Sequence, residues 1–138
     1  MVYAGDIRVN TKGDTDIVDI TTQVQQMVSK SGIRSGLALV FVSGSTAGIT
    51  TVEYEPGLVS DLRDAYQRMA PRNGHYGHDS RWGDGNGYAH VRASLTGGSF
   101  AAPVRDGSVV LGTWQQIVLV DFDNRPRARS VLVQVIGE

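Results

Sequence analysis

The sequence of 138 residues contains no cysteine. The absence of thiols excludes disulfides, thiolate metal ligands and cysteine catalysis, and it is typical of the cytoplasm, the location that we expect. The sequence also lacks an excess of charge of either sign, because 13 lysines and arginines oppose 14 aspartates and glutamates. Nucleic-acid-binding domains usually carry a basic excess, so we expect no nucleic-acid partner.

Long hydrophobic runs are absent as well. No apolar stretch approaches the ~18 residues that span a bilayer, and residues 1–6 lack the basic and apolar regions of a signal peptide. We therefore expect no membrane partner. A chain of this length is typical of one domain, so residues 1–138 are assigned to a single domain whose core needs no disulfide or metal.

Glycines and short apolar segments, in contrast, are frequent. The 17 glycines indicate many tight turns between short strands. Residues 37–42 form a continuous apolar run that predicts a strand buried on both faces, and residues 117–120 predict a second central strand. Further strands are predicted at residues 6–10, 16–20, 47–54, 88–95, 99–104, 109–111, 114–122 and 127–136.

Two helices are predicted in the first half of the chain. The first covers residues 22–30 and begins with a capping box formed by Thr22 and Gln25. The second lies between a cap at Ser60 and a stop at Pro71. Strands outnumber helices, so the predicted fold class is α+β dominated by β, a β-sandwich with two covering helices.

All three histidines lie within or just after a loop predicted at residues 72–86. They have acidic and amide neighbours, and the whole group is His75, His78, His90, Asp79, Asp84 and Asn86. Imidazole and carboxylate are ligands that zinc accepts. If residues 86–92 are extended, Asn86, Tyr88 and His90 point to the same face of a strand. Clustered histidines are also common as surface or hydrogen-bonding residues, and the spacing leaves both interpretations open.

Two further features are candidate binding elements. Glu53 is a carboxylate in a segment rich in Thr, Val and Ile, so it is either a strand-end residue or a general base or ligand anchor. The small and hydroxyl-bearing residues 44–48 form either a plain connection or a set of amides that hold a phosphate. Ser94 follows His90 by four residues, but no nucleophile elbow surrounds it, so a Ser–His hydrolase is not predicted.

Several segments occur together in the order seen in one protein family. Residues 44–53, GSTAGITTVE, resemble the family segment H-T-(S/T)-A-(A/G)-(L/V)-T-I-N-E. The other similar positions are His78, Asp84, 86–95 (NGYAHVRASL), 111–116 (LGTWQQ) and 135–138 (VIGE). Together these segments resemble the YjbQ-like family over nearly the whole chain.

The resemblance to this family implies a fold, an assembly and an activity. It implies a β-sandwich with helices, a homotrimer, and a weak secondary thiamine-phosphate synthase activity, which joins a pyrimidine pyrophosphate to a thiazole phosphate. It implies four catalytic residues, Glu53, His78, Asp84 and His90, and a zinc weakly bound by His78 and His90. Residues implied to contact a small phosphorylated ligand are Ser45, Thr46, Asn86, Tyr88, Arg92 and Ser94. We expect the four catalytic residues to converge in one pocket, with Tyr88 at its edge and the backbone amides near Ser45 and Thr46 opposite.

The sequence departs from the family pattern at two positions. Gly44 and Tyr88 stand where the family has histidines. The loss of two imidazoles leaves too few nitrogen ligands for a tight tetrahedral zinc site, so the residues favour a phosphorylated ligand over a metal. The alternative function is a non-catalytic trimeric protein that binds a small anion or acts in assembly. A metal-dependent hydrolase would use the same candidate residues.

Overall fold

The computed structural model describes residues 1–138, which form eight strands and four helices. The strands are β1 (Val2–Thr11), β2 (Asp16–Asp19), β3 (Ser35–Val42), β4 (Ala47–Val52), β5 (Ser99–Arg105), β6 (Ser108–Val109), β7 (Gln116–Asp121) and β8 (Arg127–Gly137). The helices are α1 (Thr21–Ser31), α2 (Pro56–Met69), α3 (Gly77–Trp82) and α4 (Gly87–Thr96). None of these helices has the length and apolar character needed to cross a membrane.

The strands pair antiparallel in two sheets. The larger sheet has the order β1-β8-β3-β5-β6, and the smaller sheet has the order β2-β7-β4. The main core lies between them, where Val40 and Val133 of the larger sheet share a cluster with Ile49 and Leu119 of the smaller one. Helix α1 adds Val24 to the same core. The predicted α+β class dominated by β is therefore confirmed.

A second core covers the opposite face of the smaller sheet. Val118 and Val120 of β7 belong to a buried cluster with Tyr66 of α2 and Tyr88 of α4. Strand β7 is therefore buried on both faces, which confirms the central strand predicted at residues 117–120.

Strand β3 differs from its prediction because only one of its faces is covered. Val40 is 1% exposed, whereas Leu37 and Phe41 on the other face are 48% and 40% exposed. The strand is central in its sheet, but its outer face has no covering layer. The prediction that residues 37–42 are buried on both faces is wrong, because an uncovered apolar sheet face gives the same continuous run.

Residues 88–95 form helix α4 rather than the predicted strand, and helix α3 occupies part of the predicted loop. The buried residues of α4 include Tyr88, Ala89, Arg92 and Ala93, which recur at the four-residue spacing of a helical face. This face lies on the smaller sheet, so the number of covering helices exceeds the two that we predict. The prediction of a strand is wrong because Tyr and Val occur often in strands. The four-residue spacing of Ala89 and Ala93 instead fits a helix, for which alanine has a high propensity.

Both predicted helices begin differently from the prediction. Gln25 exchanges two hydrogen bonds with the backbone of β6, so it forms no capping box with Thr22. The Glu55 carboxylate accepts hydrogen bonds from the first-turn amides of α2, so this helix begins at Pro56 and not after Ser60. The Gln25 contacts attach α1 to the edge strand β6 of the larger sheet.

Candidate functional site

Helices α3 and α4 bring two of the three histidines together. The ring centroids of His78 and His90 lie 4.3 Å apart, with the rings tilted by 36°. Asp79 holds the two helices in this position, because its Oδ1 accepts a hydrogen bond from the amide of Gly87 at 2.8 Å. The same oxygen lies 3.5 Å from Nδ1 of His78. His75 is exposed and forms no hydrogen bond with the chain.

One face of α4 carries Asn86, His90 and Ser94. Residues four apart in a helix lie one above the other, so these three side chains form a stripe along its axis. The strand-based expectation that Tyr88 shares this face is wrong, because the helical turn directs Tyr88 into the core on the other side. His90 therefore lies between an asparagine and a serine, and not beside a tyrosine hydroxyl.

The end of this stripe opens into a cleft of about 390 Å³, which we call the loop–helix cleft. Its lining residues are Gly44, Ser45, Ala47, Ala93, Ser94, Gly97 and Gly98. The amides of Gly44, Ser45 and Thr46 donate no hydrogen bond within the protein, and neither do the hydroxyls of Ser45 and Ser94. No carboxylate lines the cleft, so its walls present hydrogen-bond donors without a competing negative charge.

A buried ion pair lies beneath the cleft. Arg129 donates from Nε and Nη2 to the two carboxylate oxygens of Asp121 at 2.7 and 2.8 Å, and from Nη2 to the Thr46 hydroxyl at 2.7 Å. Its Nη1 forms no hydrogen bond within the chain and lies 3.0 Å from the position that a Cβ of Gly44 would occupy. A guanidinium nitrogen with unused N–H groups is therefore adjacent to the glycine that replaces a family histidine.

The ionised state of this pair is stabilised by its hydrogen bonds. Burial by itself would raise the pKa of Asp121, but hydrogen bonds from Arg129 and Thr11 outweigh it and hold that pKa below its ordinary value. Burial is likewise outweighed for Asp123, whose pKa is lowered by hydrogen bonds from the Asn124 amide and from neighbouring side chains. The hydrogen bond to Asp121 raises the pKa of Arg129. Both carboxylates are therefore charged at neutral pH.

Two of the predicted ligand contacts belong to this buried network. The Thr46 hydroxyl donates to Asp123 at 3.2 Å, and Asn86 donates from Nδ2 to the same aspartate at 3.4 Å. The Oδ1 of Asn86 is buried without a partner. Asp84 is exposed in the loop before α4, where its carbonyl accepts from Asn124 and its carboxylate forms no ion pair. Thr46, Asn86 and Asp84 therefore do not line the cleft: the first two belong to the buried network beneath it, and Asp84 lies in the exposed loop before α4.

Glu53 lies in a different cavity, of about 400 Å³, together with Tyr54, Trp114 and Gln116. Strand β4 separates Glu53 from the loop–helix cleft, because Ser45 lies before the first residue of the strand and Glu53 lies after its last. Six residues of extended chain span about 20 Å. The expectation that Glu53 joins the histidines in one pocket of the chain is therefore wrong.

Tyr88 and Arg92 lie in a third cavity, on the side of α4 opposite His90. The Tyr88 hydroxyl donates to Asp14 at 3.1 Å, and Arg92 donates to Thr15 at 2.7 Å. Both side chains are buried. The predicted ligand-binding residues are thus divided between two sides of one helix, because the segment that carries them is helical.

The residues of the chain do not fit the zinc site implied by the resemblance. No group of three histidine, aspartate or glutamate side chains has an arrangement that could hold a metal ion. His78 and His90 contact each other through their rings and supply only two nitrogens. A tetrahedral site would need two further ligands at this position.

Asp121, Asp123 and Arg129 are not among the residues that the sequence predicts for the site. The sequence does contain a signal for them, because Asp121 and Asp123 occupy alternate positions, as do Arg127 and Arg129. Charged residues at alternate positions beside an apolar strand indicate an inward-facing ion-pair network when the strands pair. Asp121 lies on β7 and Arg129 on β8, which belong to different sheets, so the local sequence does not assign the pair.

Comparisons with known proteins agree on the family of the chain. Residues 5–138 match the family model described as UPF0047 protein YjbQ-like. A UPF0047 protein of Methanothermobacter thermautotrophicus is 38% identical over 99% of this chain and 94% of its own length. A YbjQ-like protein of Sulfolobus solfataricus P2 has a solved structure with a TM-score of 0.95 and 40% identity, covering 100% of this chain and 99% of that one. A YjbQ/UPF0047 family protein of Clostridium acetobutylicum superposes with a TM-score of 0.87 at 36% identity, covering 96% and 99% of the two chains.

Proposed function

The chain belongs to the UPF0047 protein YjbQ-like family, and on that premise we propose that it binds a small phosphorylated ligand in the loop–helix cleft. One observation carries this proposal. The residues that line the cleft include Gly44, Ser45 and Ser94, and neither the amides of Gly44 and Ser45 nor the hydroxyls of Ser45 and Ser94 donate a hydrogen bond to the protein. A concave set of backbone N–H groups is a common anion site.

The neighbourhood of the cleft suits a phosphate group. A phosphate oxygen accepts hydrogen bonds from amides and hydroxyls, and it is repelled by carboxylates, which the lining lacks. Arg129 lies beneath Gly44, and His90 lies one turn before Ser94 on α4. Arg129 would add positive charge at the floor of the cleft, and the His90 ring would add a hydrogen-bonding nitrogen at its edge.

The proposed reaction is the joining of a pyrimidine pyrophosphate to a thiazole phosphate, as in a secondary thiamine-phosphate synthase. The thiazole nitrogen forms a bond to the pyrimidine methylene carbon, while the bond from that carbon to the pyrophosphate oxygen breaks. The pyrophosphate leaves with the electron pair of that bond. Donors that hold the leaving pyrophosphate would stabilise the charge that develops on it, and this is the role that we assign to the cleft.

A second candidate function is anion binding without catalysis. It is favoured by the position of Glu53, which lies in a separate cavity, and by Gly44, which has no side chain where the family has an imidazole. Under this alternative the cleft binds phosphate, and no carboxylate lines it to take part in chemistry.

We also propose that the chain forms a homotrimer. The resemblance implies this assembly, and the uncovered face of the larger sheet supports self-association. On that face Leu37 pairs with Ile136, and Phe41 pairs with Leu132, so apolar side chains of β3 and β8 are neighbours. Leu37 and Ile136 are 48% and 51% exposed. Contiguous exposed apolar residues mark interaction surfaces, and a second copy of the chain is the occupant that we assign to this one.

Isothermal titration calorimetry with pyrophosphate tests the binding proposal. Ser45→Ala and Ser94→Ala should each weaken binding about tenfold, the size of one hydrogen bond to a charged group. Ser43→Ala is the matched control, because it removes a hydroxyl from the same loop outside the cleft lining. Equal affinities for all four proteins would refute the proposal.

An activity assay separates the two candidate functions. Incubation with the pyrimidine pyrophosphate and the thiazole phosphate should yield thiamine phosphate and pyrophosphate in equal amounts, with a lower rate in Ser94→Ala than in Ser43→Ala. Binding of pyrophosphate without any product would support the non-catalytic alternative.

A further inference from the structure

The cavity on the other side of α4 is rich in arginine, and we call it the arginine cavity. Its volume is about 250 Å³, and it lies between the turn that joins β1 and β2, helix α2 and helix α4. The lining residues are Asp14, Thr15, Arg63, Asp64, Gln67, Arg72, Tyr88 and Arg92. Seven of these eight side chains are polar or charged, so the cavity suits a hydrophilic ligand.

Arg92 is a buried cation without a carboxylate partner. It is 4% exposed, and it donates to the carbonyl of Ala70 at 3.0 Å, to Oγ1 of Thr15 at 2.7 Å and to Oε1 of Gln67 at 2.8 Å. None of the ion pairs of the chain includes it. Burial lowers its pKa. A buried charge is normally compensated by an opposite charge, and the guanidinium still has two N–H groups that these three bonds do not use.

The ring of Tyr88 holds two guanidinium groups at the cavity. The central carbons of Arg72 and Arg92 lie 5.3 and 5.0 Å from its ring centroid, within the range of cation–π attraction. The Tyr88 hydroxyl donates to Asp14. The tyrosine that replaces a family histidine therefore positions two positive charges on the same side of α4.

The backbone of the turn at this cavity is strained. Gly13, Asp14 and Thr15 adopt successive positive φ angles of 77°, 54° and 63°. This left-handed region is costly for a β-branched residue such as Thr15. The conformation directs Oγ1 of Thr15 to Arg92 and its carbonyl to Nε of Arg63, at 3.0 Å. Strain of this kind is concentrated at functional sites, where the surrounding contacts maintain it.

Asp14 is the carboxylate that pairs with an arginine of this cavity. Its carboxylate pairs with Arg72 and accepts from Tyr88, and about half of each side chain of this ion pair is exposed. Arg63 uses only its Nε, so its two terminal nitrogens are available. Three arginines thus line the cavity with only two carboxylates, of which Asp64 forms no ion pair.

We propose that the arginine cavity is a second anion site, which binds the phosphate group of a small ligand between Arg63, Arg72 and Arg92. The phosphate oxygens would accept from the unused N–H groups of Arg92 and Arg63, and they would share Arg72 with Asp14. Guanidinium groups bind phosphate through pairs of parallel hydrogen bonds, which suits this cluster. The site is separate from the loop–helix cleft and does not depend on it.

Titration with inorganic phosphate, followed by NMR, tests this site residue by residue. Signals of the Nε–H groups of Arg63 and Arg92 and of the Thr15 amide report on the arginine cavity, whereas the amides of Ser45 and Thr46 report on the cleft. Two independent dissociation constants follow, so failure of one site is distinguishable from failure of the other. A parallel titration with glycerol 3-phosphate shows whether the cavity accepts a phosphate monoester as well as the free ion.

Three variants make the test decisive. Arg72→Gln should weaken phosphate binding at the cavity signals about tenfold, the size of one charge-assisted hydrogen bond. Arg68→Gln, on the exposed surface of α2, should leave it unchanged. Asp14→Asn should strengthen it, because asparagine tolerates the left-handed backbone and removes the competing carboxylate. Cavity signals that do not respond to phosphate, or a dissociation constant that Arg72→Gln leaves unchanged, would overturn the proposal.

Discussion

Arg129 and Asp121 form a two-point ion pair in the interior, with Nε and Nη2 of the arginine donating to separate carboxylate oxygens at 2.7 and 2.8 Å. The side chains are 6% and 0% exposed. The pair joins β8 to β7, and through Thr46 it reaches the residue that precedes β4. The buried charge pair therefore helps to fix the position of the cleft loop through the hydroxyl of Thr46.

Removal of one partner should be strongly destabilising. Asp121→Asn removes the carboxylate that Arg129 binds at two points and leaves only Asp123, 4.0 Å from Nη2, as its counterion, so the free energy of unfolding should fall by about 3 kcal/mol. Urea denaturation followed by circular dichroism measures this change. Arg125→Gln is the control, because Arg125 is exposed in the adjoining loop, and its effect should stay within about 0.5 kcal/mol. A loss of similar size in both variants would contradict this account of the pair.

The same pair predicts how stability depends on pH. The folded-state pKa values of Asp121 and Asp123 lie below their ordinary values. As the pH falls, the unfolded chain binds protons first, so the contribution of these groups is complete above about pH 5 and is lost progressively below about pH 4. Glu55 acts in the same direction, because amide hydrogen bonds to its carboxylate lower its pKa. Denaturation curves from pH 7 to pH 3 should show a smaller acid loss in Asp121→Asn than in the native protein.

The uncovered face of β3 predicts opposite results for neighbouring residues. Val40→Asp buries a charge in the main core and should cost several kcal/mol of stability, enough to prevent folding. Leu39 is 36% exposed on the outer face, so Leu39→Asp should fold and instead dissociate the proposed homotrimer. Light scattering combined with size-exclusion chromatography measures the mass. A native protein that is monomeric at micromolar concentration would refute the trimer.

The sequence predicts a strand well when its pattern has only one structural explanation, and less well when tertiary contacts decide which of its faces is buried. Residues 117–120 are apolar throughout because β7 has a core on each side, and this pattern admits few alternatives. Residues 37–42 show the same pattern, but one face of β3 is uncovered, so a continuous apolar run does not by itself indicate burial on both faces. Composition cannot separate these two cases.

The candidate site was likewise predicted only in part. The closeness of His78 and His90 was expected, but the strand assigned to residues 88–95 gave the wrong partners for Tyr88 and Arg92. In a strand, residues two apart lie on the same face, whereas in a helix they lie on nearly opposite faces. The helical conformation of α4 therefore puts Tyr88 and Arg92 on the side opposite His90. The ion pair beneath the cleft depends on how β7 of one sheet packs against β8 of the other, which no local pattern contains.

His90 provides the last prediction, because it adjoins the cleft without belonging to its lining. His90→Ala removes a ring nitrogen one turn before Ser94 and should weaken phosphate binding at the cleft by about tenfold, the effect of losing one charge-assisted hydrogen bond. His75→Ala is the matched control, since His75 is exposed and makes no hydrogen bond with the chain. Zinc titrated into the same proteins should show only weak binding, because two stacked imidazoles cannot supply a tetrahedral set. Tight zinc binding that His90→Ala abolishes would show that a metal, and not a phosphate, is the ligand of the histidine pair.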